Sequence, residues 1–346
     1  MSEADPEYQV AVVGGGPAGL TAALYTTRLG HDTVLINRGG GRAAMMQDTH
    51  NVIGITEETS GAELLQTATE QVESYGADTV RGYVSDVHGG VGNFTLDVGD
   101  DSYTAERVVL ATGFSDERPD PPLPRTGRGL HYCLHCDAYM FIDESVYVMG
   151  TGESAAHVAM IMLNFTDEVD LLLRGAEPEW SDTTDEQLRA HPVEIIDEEI
   201  TGMNTGDDGW LESFEFEDGT VREYRGGFPM FGSDYHAELA DVLGLKRVDD
   251  DGEEAVEVDD HGRTSVEGVF AVGDLTPGHN QIPVAMGEGA KAGIALHYDL
   301  REYPKSLAEL DGDSVDPAAT PAVSQKLRDA AAKRHDDAEA PAADDD

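Results

Sequence analysis

Residues 8 to 37 constrain this chain more than any other stretch: "YQVAVV" runs into "GGGPAGLTAALYTTRLG", and "DTVLIN" follows. The first run is short and β-branched, as suits a buried parallel strand. The second opens on glycines and then spaces Leu20, Leu24 and its alanines along one face of a helix. Gly14, Gly16 and Gly19 make a G-x-G-x-x-G with a strand before it and a helix after it, the context that fingerprint requires. Gly14 permits the tight turn, Gly16 lets the backbone approach a pyrophosphate, and Gly19 allows close helix-to-strand packing. Pro17 and Ala18 open the helix, where unbonded N–H groups and the dipole favour an anion. The alternative is a tight strand-helix junction that binds nothing.

The same grammar returns in "SVYVMGTGESAAHVAMIMLNFTDEVDLLLR", with Gly150, Gly152, Ser154 and Ala155 in the turn. Alanine is tolerated at the third position because only a small residue is needed there. The chain therefore repeats a nucleotide-binding unit, and two such sites suggest a flavin and a nicotinamide with hydride passed between them. Two later strands point back to the first turn. "AERVVLATGF" ends in Ala111, Thr112 and Gly113, and "TSVEGVFAVGDLTPGHNQIPVAMGEGAKAGIAL" carries Gly273 and Asp274 at a strand end. A carboxylate so placed can meet a ribityl or ribose hydroxyl; otherwise Asp274 caps a turn. The expected domains are residues 1–116 with 231–310, and an insertion at 117–230. Residues 311–346 read as an acidic disordered tail, with "AVSQKLRDAAAKRH" at most a short marginal helix.

Charge narrows the partners. There are 22 basic and 69 acidic residues, a formal net charge of -47, which repels nucleic acid and anionic membrane. No apolar run approaches the roughly 18 residues of a membrane span, and "MSEADPEYQVAVVGGG" lacks the basic start of a signal peptide. A surface this acidic suits molar salt, where the Debye length falls to about 3 Å, and hints at a halophile-type cytoplasm. Two cysteines in a reducing compartment do not make a disulfide scaffold.

Both cysteines lie in "HYCLHCDAYMF", as Cys133 and Cys136, followed by Asp137. C-x-x-C is half of a structural zinc site, and His131 and His135 would complete it on paper. Four tetrahedral ligands from one short segment are unusual, so the pair reads as a redox dithiol with no metal. Asp137 is placed to supply or take a proton, or to cap the helix that starts here.

Paired G-x-G-x-x-[GA] units, an inserted domain, Cys-x-x-Cys-Asp before the second turn and a late Gly-Asp strand together resemble the low-molecular-weight, bacterial-type thioredoxin reductases, over residues 8 to 303. The resemblance implies an α/β fold with two Rossmann-like domains, the second inserted into the first, as a three-layer sandwich of the FAD/NAD(P)-binding type. It implies a homodimeric FAD enzyme that reduces thioredoxin or a similar small dithiol protein, with Cys136 on the flavin side and Cys133 toward the partner. By motif position Gly14, Gly16, Pro17, Ala18, Gly19, Ala111, Thr112, Gly113, Gly273, Asp274 and Gln281 become FAD contacts. Arg42 stands where the family has glutamine. Gly150, Gly152, Ser154, Ala155 and Arg174 fall to a nicotinamide nucleotide.

One departure concerns the electron donor. Family members that use NADPH carry an arginine cluster after the second unit's last strand, which clamps the 2′-phosphate. Here "LLLRGAEPEW" keeps only Arg174, puts Gly175 in the second arginine's place and adds Glu177 and Glu179. NADPH is disfavoured. NADH fits better, and reduced ferredoxin or a deazaflavin remain as other donors. Competing functions on the same fold are a ferredoxin-NAD(P) reductase and a non-catalytic flavin redox sensor. The charge carries its own test: thermal stability and activity should rise with KCl into the molar range as screening relieves carboxylate repulsion, and equal stability at low and molar KCl would remove the halophile reading.

Overall fold

The computed structural model describes residues 5–250, 252–301, 312, 314 and 323–339. Their fold is built as two compact units. Among the described residues, one draws on 5–44, 62–114 and those from 235 onward, the other on 45–61 and 115–234. Residues 45–61, assigned to the first domain by sequence pattern, thus pack with the second unit.

The first unit opens with β1 (Tyr8–Val13), α1 (Pro17–Arg28) and β2 (Thr33–Asn37). After α2 (Gly61–Ser74) come β3 (Asp78–Arg81), β4 (Val84–Gly90), β5 (Asn93–Val98) and β6 (Asp101–Leu110). The sheet order is β3-β2-β1-β6-β5-β4. β1 pairs in parallel with both β2 and β6 and is fully buried from Val10 to Val13, which explains its unbroken apolar run. In β5, by contrast, Phe94, Leu96 and Val98 are buried and their neighbours are not, the alternation of an antiparallel strand with one wetter face.

β7 (Phe114–Asp116) leads out of the first unit. The second unit contains the short α3 (Leu134–Asp137), then β8 (Val146–Met149), α4 (Glu153–Met162), β9 (Val169–Leu172), α5 (Asp182–Arg189) and β10 (Val193–Ile196). Next come β11 (Ile200–Thr205), β12 (Leu211–Phe216), β13 (Val221–Glu223) and β14 (Gly226–Pro229). A four-stranded sheet runs β10-β9-β8-β14 and a three-stranded one β11-β12-β13. The chain returns through β15 (Ser233–Tyr235), which pairs with β7, so the two crossing strands brace each other.

Back in the first unit, α6 (Glu238–Val242), β16 (Arg247–Asp250), β17 (Glu253–Val256), β18 (Val269–Ala271) and α7 (Ile282–Leu300) follow. β18 joins β6 in parallel, adding the seventh strand. Adjacent β1 residues feed opposite cores. Val10 and Val12 pack with Leu20, Ala22, Ala285 and Leu296 of α1 and α7, whereas Ala11 and Val13 pack with Phe94, Leu239 and Leu245. Period-two alternation in one strand thus makes three layers. The last helix, α8 (Gln325–Glu339), occupies part of the segment read as a disordered tail. Its Lys326 pairs with Asp78 at 2.6 Å and its Arg334 donates to the Tyr75 hydroxyl at 2.8 Å. Most of the remaining tail lies outside the described residues.

α1 and α7 are also joined by His31, just past α1, whose Nε2 lies 2.9 Å from His297 Nδ1. One ring must donate and the other accept, so both cannot be charged. Burial first, then the nearby His297 and Arg301, push His31 from 6.5 down to about 4. Below pH 6.5 the unfolded chain therefore binds more protons than the folded one. The contribution of His31 is complete above that pH and is lost as pH falls toward 4, by about 3 kcal/mol at most. Urea unfolding in molar KCl at pH 7 and pH 4.5 checks this: His31→Leu should flatten the pH dependence by about 2 kcal/mol, and an unchanged slope would disprove it.

Candidate functional site

The first glycine turn has the stereochemistry its pattern predicts. Gly14 sits at φ 112, and a Cβ there would lie 2.2 Å from the Ala111 carbonyl oxygen. At Gly19 a Cβ would fall 2.0 Å from the Gly14 carbonyl oxygen. Gly16 is the opposite case: a Cβ would meet nothing within 4 Å, so its backbone is open to a ligand. No side chain caps α1, whose N-cap is Gly16 and whose first residue is Pro17. Its first N–H groups are therefore left for an anion to accept. An open cradle at an uncapped helix start fits a pyrophosphate, and these are the residues that would hold it.

Other expected residues gather around that turn. A Cβ on Gly273 would touch Ala18 Cβ at 2.7 Å, and one on Gly113 would reach Asp274 Cβ at 3.9 Å. Arg42 lies 3.9 Å from Asp274 and its guanidinium covers the Phe114 ring at 4.9 Å. Thr112 Oγ1 donates to the His236 carbonyl at 2.7 Å. Gln281 is the N-cap residue of α7, though its side chain does not cap the helix. Pattern reading missed Glu288, whose carboxylate accepts the Gly273 N–H at 2.8 Å. Burial above all, offset in part by that bond and aided by Asp274, raises the Glu288 pKa. Its signal was an acid standing alone in the small-residue run of α7.

The second turn repeats the first. Gly150 is at φ 140 with a Cβ position 2.6 Å from the Met230 carbonyl oxygen and 3.1 Å from Ala155 Cβ, and Gly152 again faces open space. Ser154 is exposed in the first turn of α4. The neighbouring Glu153 does not point outward as a bare charge: Thr184 Oγ1 donates to it at 2.6 Å and Ser181 N at 2.5 Å. Those hydrogen bonds lower its pKa, Thr184 contributing most. Arg174 follows β9 in a left-handed conformation, φ 55. Its Nε is buried with no hydrogen-bond partner, and Glu199 Oε2 lies 3.7 Å away. Glu177 and Glu179 are exposed. Trp180 is core, packed among Phe228 and the α4 side chains, with Nε1 donating to Asp185 at 3.2 Å.

Cys133 and Cys136 are joined as a disulfide. Cys133 is the N-cap of α3, and its sulfur accepts the Cys136 N–H at 3.1 Å. Asn51 Nδ2 reaches Cys136 Sγ at 3.5 Å. Asp137 caps nothing. Its Oδ2 is instead 2.8 Å from His131 Nδ1, while His135 is exposed. The four side chains considered for zinc therefore do not converge.

The glycine turns can be checked by substitution. Gly14→Ala must displace the Ala111 carbonyl and hold a left-handed alanine, costing about 1–3 kcal/mol or more. Gly16→Ala should leave the melting temperature of the ligand-free chain within about 2 °C, since its Cβ meets only open space. Equal destabilisation in both would contradict this geometry.

The family model for pyridine nucleotide-disulphide oxidoreductases matches residues 8–289. A thioredoxin reductase of Peptoclostridium litorale is 33% identical over 319 residues, 85% of this chain and 98% of that protein. One of Bacillus subtilis is 29% identical, covering 90% of this chain and all of its relative at 100%. Among solved structures, the thioredoxin reductase of Streptococcus pyogenes MGAS5005 superposes with a TM-score of 0.77 at 28% identity, over 86% of this chain and 99% of that one. Because the match runs through both glycine turns and the disulfide between them, the chain belongs to the pyridine nucleotide-disulphide oxidoreductase family, as a flavoprotein oxidoreductase akin to the low-molecular-weight thioredoxin reductases.

Proposed function

We propose that this chain is an FAD-dependent disulfide reductase that passes electrons through Cys133 and Cys136 to thioredoxin or a similar small dithiol protein. The observation that carries the reading is the Cys133–Cys136 disulfide followed directly by Asp137, in a chain whose two glycine turns share one stereochemistry. In this reading residues 1–116 and 231–310, apart from the 45–61 segment that packs with the second unit, form the FAD domain and 117–230 the nicotinamide-type domain. FAD is held by Gly14, Gly16, Pro17, Ala18 and Gly19 together with Ala111, Thr112, Gly113, Gly273, Asp274, Gln281 and Arg42. Bound FAD supplies a two-electron carrier. Reduction at Cys136 breaks the S–S bond and releases Cys133 as a thiolate, which the Cys136 N–H, 3.1 Å from that sulfur, is placed to stabilise. Cys133 then attacks the partner's disulfide, giving a mixed disulfide, and Cys136 resolves it by attacking Cys133. Asp137 supplies and recovers the proton.

Electrons enter from NADH rather than NADPH. The turn of Gly150, Gly152, Ser154 and Ala155 is intact, whereas Arg174 is partly buried with Glu199 3.7 Å away and two exposed glutamates follow it. A 2′-phosphate would meet negative charge there and no second arginine. The same reading makes the protein a cytoplasmic homodimer in a salt-rich cell, for which the net charge of -47 speaks.

Two measurements decide. Anaerobic titration should bleach the flavin with NADH at concentrations about tenfold or more below those needed for NADPH, the worth of one lost charge-assisted hydrogen bond. Bleaching only by reduced ferredoxin or a deazaflavin would overturn the donor. Cys133→Ser should keep flavin reduction and abolish thioredoxin reduction. Unchanged turnover with that variant would favour a ferredoxin-NAD(P) reductase and sink the disulfide chemistry.

A further inference from the structure

We propose that His131 is a positioning residue for Asp137: its Nδ1–H holds the carboxylate at Oδ2, leaving Oδ1 to carry the proton that the dithiol exchanges. The proposal rests on the reading of Asp137 as the dithiol's proton carrier.

The placement of the histidine carries it. His131 is 5% exposed, and Nδ1 lies 2.8 Å from Asp137 Oδ2. Its backbone is fixed, with N donating to the Gly227 carbonyl at 2.9 Å. The ring meets Phe141 edge-on at 5.1 Å, stacks on Trp210 at 6.0 Å and touches Phe228 at 6.3 Å. Nε2 is buried there without a hydrogen-bond partner among the described residues. A proton on Nε2 would find no acceptor, so the surroundings select the tautomer with hydrogen on Nδ1, aimed at Asp137. Burying a ring nitrogen without a partner is unfavourable, and an aromatic box is filled better by a carbon side chain. The bond to Asp137 is what the imidazole adds.

The other groups facing this pair are few. His50 Nδ1 lies 3.8 Å from Asp137 Oδ1, on the side that carries the proton. The Tyr139 hydroxyl lies near Asp137, Glu57 and Asp48, and burial followed by those charges raises its pKa. The guanidiniums of Arg128 and Arg225 lie on Trp210 at 5.4 and 4.2 Å, the ring that stacks on His131. When two electrons break the Cys133–Cys136 bond, both sulfurs take negative charge. Asp137 gives its proton to Cys136, so that Cys133 stays the thiolate, and remains as a carboxylate, which His131 stabilises. Re-forming the disulfide returns the proton to Oδ1.

The test is the rate at which iodoacetamide alkylates the dithiol between pH 4 and 9, measured anaerobically on the full chain after dithiothreitol has reduced the Cys133–Cys136 disulfide and been removed. Asp137→Asn identifies the inflection that belongs to Asp137. Asparagine at 131 presents its amide where Nδ1 stands and glutamine where Nε2 stands. His131→Asn should therefore keep that inflection in place, and His131→Gln and His131→Leu should move it up by about one pH unit or more. If the leucine variant does not fold, the asparagine and glutamine variants decide between themselves. An unmoved inflection in His131→Gln, or an equal shift in both amide variants, overturns the proposal. If Asp137→Asn removes no inflection, the assignment of Asp137 itself fails and the proposal falls with it.

Discussion

A backbone contact governs the first unit. Gly14 turns back at φ 112 with its α-hydrogen side against the Ala111 carbonyl, so close that a Cβ would sit 2.2 Å from that oxygen. This lets β1 end, α1 begin and β6 stay paired beside both, in the space of three residues. Gly19 then brings α1 down onto the same turn, and Gly273 brings the end of β18 against Ala18. The open cradle at Gly16 is a consequence: the helix start is uncapped because the residues that would cap it are glycines.

The second unit solves the same problem with other partners. Gly150 packs against Met230 O and Ala155 rather than against a glycine, and Gly152 takes the role of the open residue. What differs is the charge around it. Glu153 is tied to Ser181 and Thr184, and Arg174 has Glu199 beside it. Arg174 Nε has the Glu199 carboxylate 3.7 Å away, while the dithiol in the same unit has its own donor, acceptor and carboxyl in place. Within one unit, the disulfide and the second glycine turn thus have different polar surroundings.

His131 illustrates how an apparent ligand becomes a neighbour. Three residues separate it from a second histidine and one from a cysteine, which invites a metal. Folding sends His131 into an aromatic box and His135 to solvent, and the hydrogen bond to Asp137 absorbs the one nitrogen that faces a polar group. The alternative of Asp137 as a helix cap fails for the same reason, since Cys133 takes that position.

By itself, the sequence determined whatever depends on near neighbours. The strand, turn and helix around Gly14 and around Gly150 were legible because φ sign, Cβ clearance and apolar spacing are local properties. So was the reading of Cys133 and Cys136 as a redox pair, which rested on their place just before the second of two nucleotide-binding turns and on the family resemblance. Only the tertiary structure decided which distant groups meet. Glu199 stands beside Arg174, Glu288 accepts from Gly273, His297 faces His31, residues 45–61 pack with the second unit and Trp180 is core. Each is a contact between groups distant in sequence that packing brings together, and no periodicity in the chain encodes where a buried charge will find its partner.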